Sequence, residues 1–303
     1  MTEWPRIGFI GAGRVARALA PAFADAGEAV VAVGSRRLAA AQSCVERIPG
    51  CQALEDLQRV IDDADLVFLT VSDGAIAPLA DNLQWRAGMA VVHCSGASGL
   101  DVLEAAHVRG AFTGSFHPLL MFADPNRARL ALPHSAIALD ASGPQLLGRL
   151  EQLVARVGAQ SLRVPPGSRA AYHAASHYGA AFLCVLFEQG MRILDGAGIS
   201  GDPPRKAMWS MARATLDALE HGDAAQVMAG AYARGDLGTA TQHLQALDAL
   251  DPQIASLYRA LALRSVAMAE QAGRIDLDKA SQLRNLLEAN PHIPGETPGK
   301  PDA

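Results

Sequence analysis

The sequence predicts an α/β protein in which a parallel sheet with crossover helices is followed by an all-helical domain. Three observations carry this. Short β-branched runs alternate with helical periods through the first half of the chain. One of those runs enters a glycine-rich turn that opens a helix, Gly11-Ala12-Gly13-Arg14-Val15-Ala16. Beyond Pro165-Pro166-Gly167, which breaks the chain, helical periodicity takes over. The expected organisation is residues 1–165 as the sheet domain, 166–289 as a helical substrate and dimerisation domain, and 290–303 as a disordered tail marked by Pro291, Pro294, Pro298 and Pro301.

Taken in order, strands are expected near 6–11, 29–34, 65–71, 89–94, 112–116 and 136–140, with a weak one near 51–54. From Arg14 to Ala26, the residues Val15, Ala18, Leu19, Ala22 and Phe23 form one helical face, and Gly27 is a fitting C-cap. Residues 169–196 read as one long helix. Its middle, Ala180 to Phe187, is apolar on every side, which predicts burial all round and a central or dimer-interface position. Asp202-Pro203-Pro204 reads as a helix start with Asp as N-cap and Pro at N1, and Met208, Met211, Ala212, Thr215 and Leu219 follow before His221-Gly222. Three further helices are expected near 236–249, 252–272 and 276–288, the second with Ile254, Leu257, Tyr258, Leu261 and Met268 on one face.

Composition narrows the partners. The 303 residues are 50% hydrophobic and 19% charged, which excludes a disordered chain. A net charge of −5 without blocks of like charge gives no footprint for nucleic acid or an anionic membrane. The most apolar run, Gly179 to Phe187, is far short of a bilayer span. Glu3 and the interruptions at Arg14 and Arg17 argue against a signal peptide. Cys44, Cys51, Cys94 and Cys184 form no CxxC pair and read as free thiols in a reducing cytoplasm. A small-molecule partner is left by elimination.

The strand, turn and helix around Gly11 have the form of a Rossmann dinucleotide site. Gly11 makes the tight turn, Gly13 lets the backbone approach a pyrophosphate, Ala16 allows close helix packing, and Ala12, Arg14 and Val15 lie at the helix N-terminus facing the anion. About twenty residues on, where an NAD site places an acid, the chain has Gly34-Ser35-Arg36-Arg37. A hydroxyl and two guanidinium groups suit a 2′-phosphate, so NADP(H) is expected over NAD(H); the alternative is that Arg36 and Arg37 are solvated charges opening a helix. Val71 and Ser72, ending the strand at 65–71, are expected to border the cofactor.

Two later strand ends are polar: His93-Cys94-Ser95-Gly96 and Phe116-His117-Pro118. Ser95 and His117 are a hydroxyl and an imidazole able to bind or protonate a carbonyl, imine or alcohol, with Ser95 also beside the cofactor. The competing reading of His117 is a hydrogen-bonded core histidine, and His93 is a weaker candidate still. His173 and His177 lie four apart on one helix face, but no third ligand accompanies them, so no metal is expected. His173 is read as a second polar group facing the cleft between domains, against a surface or interface histidine. Asp236 reads as a helix N-cap rather than a catalytic acid, and Arg234 as a possible clamp for a substrate carboxylate.

With those residues in place, the chain resembles a family of Rossmann-like oxidoreductases that carry a helical C-terminal domain of unknown function. The resemblance rests on Ile7 to Ala16, His93-Cys94-Ser95-Gly96, Phe116-His117-Pro118, and Tyr172-His173-Ala174-Ala175 with Met228 to Leu244, and spans about residues 5–289. It implies kinship with pyrroline-5-carboxylate reductase, the β-hydroxyacid dehydrogenases and the deazaflavin-dependent NADP reductases. It also implies a domain arrangement similar to 6-phosphogluconate dehydrogenase and a homodimer through the long helix. His117-Pro118 is similar to the pair in prephenate dehydrogenases, where the histidine contacts the substrate oxygen that loses a proton. Two departures stand out: Ala181 where relatives often have asparagine, and Ala231 where they have proline. The lysine of many β-hydroxyacid dehydrogenases has no counterpart among Lys206, Lys279 and Lys300.

The function expected from the sequence is hydride transfer between NADP(H) and a small carbonyl, imine or hydroxy substrate in the interdomain cleft. His117 would be the proton donor, Ser95 the oxygen or nitrogen anchor and His173 the orienting group. The rival is an NADPH-binding sensor or scaffold without turnover.

Overall fold

The computed structural model describes residues 4–289. Two compact units divide the chain, the first ending at Ala180 and the second beginning at Ala181.

In the first unit, strands and helices alternate: β1 (Arg6–Ile10), α1 (Arg14–Asp25), β2 (Ala29–Gly34), α2 (Leu38–Val45), β3 (Gln52–Leu54), α3 (Leu57–Asp63), β4 (Leu66–Leu69), α4 (Ile76–Asn82), β5 (Ala90–His93), α5 (Glu104–His107), β6 (Phe112–Pro118), α6 (Pro125–Ala131), β7 (Ala136–Ala141), α7 (Pro144–Arg156), β8 (Gln160–Arg163) and α8 (Arg169–Gly179). The sheet order is β3-β2-β1-β4-β5-β6-β7-β8. The strands run outward in both directions from the β1–β4 pair, so this is the switch point where a crevice opens beyond the carboxyl ends of the strands. Every residue of β4 and β5 is buried, as a parallel sheet covered on both faces requires. One face packs Phe9, Phe23, Phe68 and Phe116 together: Phe9 stacks on its register partner Phe68 at 5.2 Å, and Phe116 meets Phe68 edge-on at 5.5 Å. The other face packs Val60, Ile61, Val67, Val91 and Leu103.

Two features of the sheet depart from the expectation. β7 runs antiparallel to β6 while the other pairs are parallel, because a periodic run identifies a strand but not its direction. β8 is an additional edge strand whose four residues are all exposed, so no apolar pattern marks it.

The second unit is helical: α9 (Ala181–Gly196), α10 (Asp202–His221), α11 (Ala224–Val227), α12 (Ala231–Arg234), α13 (Leu237–Leu250), α14 (Pro252–Gln271) and α15 (Leu277–Glu288). Its core is Ala240, Leu244, Ala262, Val266, Ala269, Ala280, Leu283 and Leu287. The single helix expected over 169–196 is two, because Ala180 takes φ −134° and ψ −86°, outside the helical region. Neither α9 nor α10 has a buried residue, so the expected burial of the apolar 180–187 segment is not met within one chain. Asp202 is the first helical residue of α10 rather than its N-cap; Gly201, at φ +91°, holds the position before it. On α14 the buried residues are Ile254, Ala255, Ala262, Val266 and Ala269; of the expected face, Ile254 is buried and Tyr258 packs against the core, while Leu261 is exposed. The tail expectation for 290–303 lies outside the described residues.

Candidate active site

The glycine turn forms at the carboxyl end of β1. Gly11 has φ +106°, and a Cβ there would lie 2.6 Å from the Thr70 carbonyl oxygen, so the position admits only glycine. Its N–H donates to Gly34 O at 2.8 Å, and Thr70 Oγ1 donates to Gly11 O at 2.8 Å, tying the turn to β2 and β4. Gly13 caps α1 without any side-chain hydrogen bond, and no acid occupies the first turn. The amide groups of that turn are thus left for an anion.

A cleft of about 690 Å3 opens over this turn. It is lined by Gly11, Gly13, Ser35, Arg36, Arg37, Val71 and Ser72, all singled out in the sequence, together with Ile10, Leu57, Thr70, Ala75, Pro78, Leu79 and Asn82. Leu57, on α3, and Pro78 and Leu79, on α4, carry no chemical signal that singles them out, and Thr70 falls in the strand expected at 65–71. Of the other residues expected at the cofactor, Ala12 and Val15 pack against the core, Arg14 is exposed at the start of α1, and Ser95 lies outside the cleft lining. Arg36 and Arg37 are exposed, and among the described residues neither is paired with a carboxylate. Ser35 Oγ accepts from the Arg37 N–H at 3.3 Å, which aligns the start of α2.

A second cluster stands at the carboxyl ends of β5 and β6. His93 is fully buried; its Nδ1 accepts from the Ser95 N–H at 3.2 Å, so its Nε2–H donates to Gly99 O at 3.0 Å. Burial holds its pKa down at about 4. Those bonds make His93 the brace of the 93–99 loop. Ser95 Oγ turns onto the same loop, accepting from the Ala97 and Ser98 amides at 3.2 and 3.0 Å and lying 3.0 Å from Ser98 Oγ.

His117 is half-buried near the end of β6, with Nδ1 2.7 Å from the Tyr172 hydroxyl. Burial first, then the neighbouring His173 and Arg169, lower its pKa to about 4, so the ring is neutral near pH 7. His173, one residue on along α8, faces His117 at a ring separation of 5.9 Å and abuts His177 at 5.0 Å. A Cβ on Gly96 would lie 2.5 Å from His173 Nδ1 and 2.7 Å from His117 Nε2, so both nitrogens converge on the glycine. His173 Nδ1 is buried without a hydrogen-bond partner. Arg169, at the start of α8, donates to Ser115 Oγ at 2.8 Å and stands 3.6 Å from Asp140. Among the described residues no three His, Cys, Asp or Glu side chains are grouped to hold a metal. In the second unit, Asp236 caps α13 by accepting from the Thr239 N–H at 3.0 Å.

Residues 3–118 match the family profile of a Rossmann-like domain, and residues 135–265 that of a domain of unknown function, DUF2520. The chain joins a Rossmann-like domain to a DUF2520 domain. His117 falls in the first matched segment and Tyr172 in the second. No curated protein matches the chain in sequence. Among solved structures, a candidate NADP oxidoreductase from Bacteroides fragilis is 21% identical, with a TM-score of 0.72 over 88% of this chain and 100% of that one. The reductive aminase of Aspergillus terreus, in complex with NADPH and ethyl-5-oxohexanoate, is 17% identical, with a TM-score of 0.58 over 94% and 93%. A pyrroline-5-carboxylate reductase from Coxiella burnetii is 18% identical, with a TM-score of 0.58 over 93% and 98%. These likenesses establish the fold. No described helix is long and apolar enough to cross a membrane.

Proposed function

We propose that the protein is an NADP(H)-dependent oxidoreductase acting on a small carbonyl or imine, or on the corresponding hydroxy compound in reverse. The observation that carries this reading is the single cleft that gathers the Gly11–Gly13 turn, the uncapped start of α1 and the unpaired Arg36 and Arg37. That donor set fits a dinucleotide carrying a 2′-phosphate. Gly13 and the first-turn amides of α1 would hold the pyrophosphate, Arg36 with Ser35 and Arg37 the 2′-phosphate, and Val71 and Ser72 the path between them and the nicotinamide. Bound there, the cofactor supplies a hydride equivalent. The names of the neighbours in fold, one of them holding NADPH, point the same way.

His117 would protonate the substrate oxygen or nitrogen and His173 would orient it; the meeting of the two rings over Gly96 and the unpartnered Nδ1 of His173 support these roles. Ser95 shapes the adjoining loop; to anchor the substrate its hydroxyl would turn away from Ser98. We further infer a homodimer built on α9 and α10, neither of which has a buried residue within one chain.

The test is a titration of NADPH and NADH followed by nicotinamide fluorescence, on the wild type and on Arg36→Ala. NADPH is expected to bind more tightly than NADH, and the substitution to weaken NADPH by about tenfold, the equivalent of ~1.4 kcal/mol. Binding of neither nucleotide overturns the reading.

A further inference from the structure

The geometry points to Tyr172 as the group that holds His117 in its Nε2–H form and refills the proton His117 gives away. The inference rests on the oxidoreductase reading and adds to it a proton source that lies outside the three catalytic residues marked in the sequence.

The argument starts from the 2.7 Å contact between the Tyr172 hydroxyl and His117 Nδ1. A phenol is a strong O–H donor, and the unprotonated nitrogen of a neutral imidazole is a better acceptor than a phenol oxygen, so the hydroxyl donates to Nδ1. The ring then carries its own hydrogen on Nε2. That nitrogen lies on the side of the ring packed over Gly96, near the unpartnered Nδ1 of His173, and it is the one left to meet a substrate heteroatom. The rings meet edge-to-face at 85°, with centroids 5.6 Å apart.

Because His117 is neutral near pH 7, it holds one transferable proton and becomes an anion unless Nδ1 is protonated as Nε2 is emptied. The balanced step is therefore a pair of transfers. As the substrate carbon accepts a hydride, the C=O or C=N π electrons move to the heteroatom, which takes the Nε2 proton. Nδ1 takes the phenolic proton, and the ring is neutral again in the other tautomer. Tyr172 is left as a phenolate, which water reprotonates. Arg169, three residues earlier on α8, favours both ends of this transfer: its charge opposes the burial that pushes the Tyr172 hydroxyl up to about 12, and it discourages a positively charged His117. The other groups facing His117 are His173 and His93, which also oppose its charging, and Asp73, which favours it.

Two measurements decide the inference. The first needs no turnover: nitrogen-15 NMR of the histidine rings in the intact protein is expected to show His117 with hydrogen on Nε2, and Tyr172→Phe to shift the Nδ1 signal as its donor is lost. A wild-type His117 with hydrogen on Nδ1 overturns the inference whether or not any substrate is found. The second is kinetic. Tyr172→Phe is expected to lower kcat by about 10- to 100-fold with KM changed much less, and to reduce the solvent deuterium isotope effect. Replacing Tyr172 with 3,5-difluorotyrosine keeps the shape of the side chain and makes the phenol more acidic; the alkaline limb of the kcat profile should then move to lower pH. An unmoved limb overturns the relay. Failure of NADPH to bind overturns the oxidoreductase reading instead, and the tautomer measurement still judges Tyr172.

Discussion

His93 and His117 sit at the ends of neighbouring strands in the same cluster and carry the same side chain, and what separates them is where their nitrogens point. Both nitrogens of His93 are spent on its own loop, on Ser95 N–H and Gly99 O. His117 spends one on Tyr172 and aims the other at Gly96. His93 therefore belongs to stability, and its depressed pKa sets the sign. The folded value of about 4 lies below the ordinary 6.5, so the folded state binds fewer protons than the unfolded one between those values. Its contribution is fully present above pH 6.5 and is lost as the pH falls toward 4. For a completely buried ring a shift of this size corresponds to roughly 3 kcal/mol. His93→Gln is expected to cost stability at pH 7.5, because buried hydrogen bonds are lost, yet to flatten the dependence on pH between 6.5 and 4. Urea unfolding midpoints across that range measure it; a variant with the full wild-type slope would show that another group carries the acid sensitivity.

At the level of elements, the packing of α7 on the sheet contains a buried ion pair. Glu28, just before β2, is paired with Arg149 of α7, and both side chains are almost wholly buried; Arg156 adds a second contact at 3.0 Å from a half-exposed position. Removing the acid strands a buried guanidinium. Glu28→Gln is therefore expected to cost about 3–5 kcal/mol, and Arg156→Ala under about 1 kcal/mol, because solvent already screens the latter. Denaturant titrations would show the contrast, and equal losses would mean that Arg149 finds other compensation. Such a pair, more than a hundred residues apart, is invisible in the sequence, and the same limit explains what else could be read there. β1, β2, β4 and β5 were legible because a strand buried on both faces must be a continuous apolar run. The Gly11 turn was legible because local backbone chemistry dictates it. β8 was not, since an exposed edge needs no pattern, and the break at Ala180 has no proline or glycine at the residue itself to announce it. His117 and Tyr172 were each visible, but their hydrogen bond joins β6 to α8 and depends on how the helix lies on the sheet.

For the molecule as a whole, the two longest stretches of unexplained surface are α9 and α10, of 16 and 20 residues, about 24 and 30 Å long. The segment that reads as core in the sequence is exposed in the single chain: Leu183, Val185 and Leu186 on α9, with Trp209 and Met211 on α10 at 63% and 60% exposure. Phe187 and Trp209 meet edge-on between the two helices at 6.5 Å. Isolated exposed leucines are ordinary, but a contiguous apolar surface marks an interface. A specific interface buries about 800 Å2 per partner, an area that two helices of this length can supply. A second copy of the chain would account for it, since a two-fold axis brings the same surface of each protomer together. Sedimentation of the wild type at micromolar concentration is expected to give a dimer, and the double substitution Val185→Glu with Leu186→Glu a folded monomer that still binds NADPH through the first unit. A wild type that sediments as a monomer would sink the dimer and leave this surface for a different partner. Retention of NADPH binding by the monomeric variant would separate assembly from cofactor recognition, as expected if every residue lining the cleft belongs to the unit that ends at Ala180.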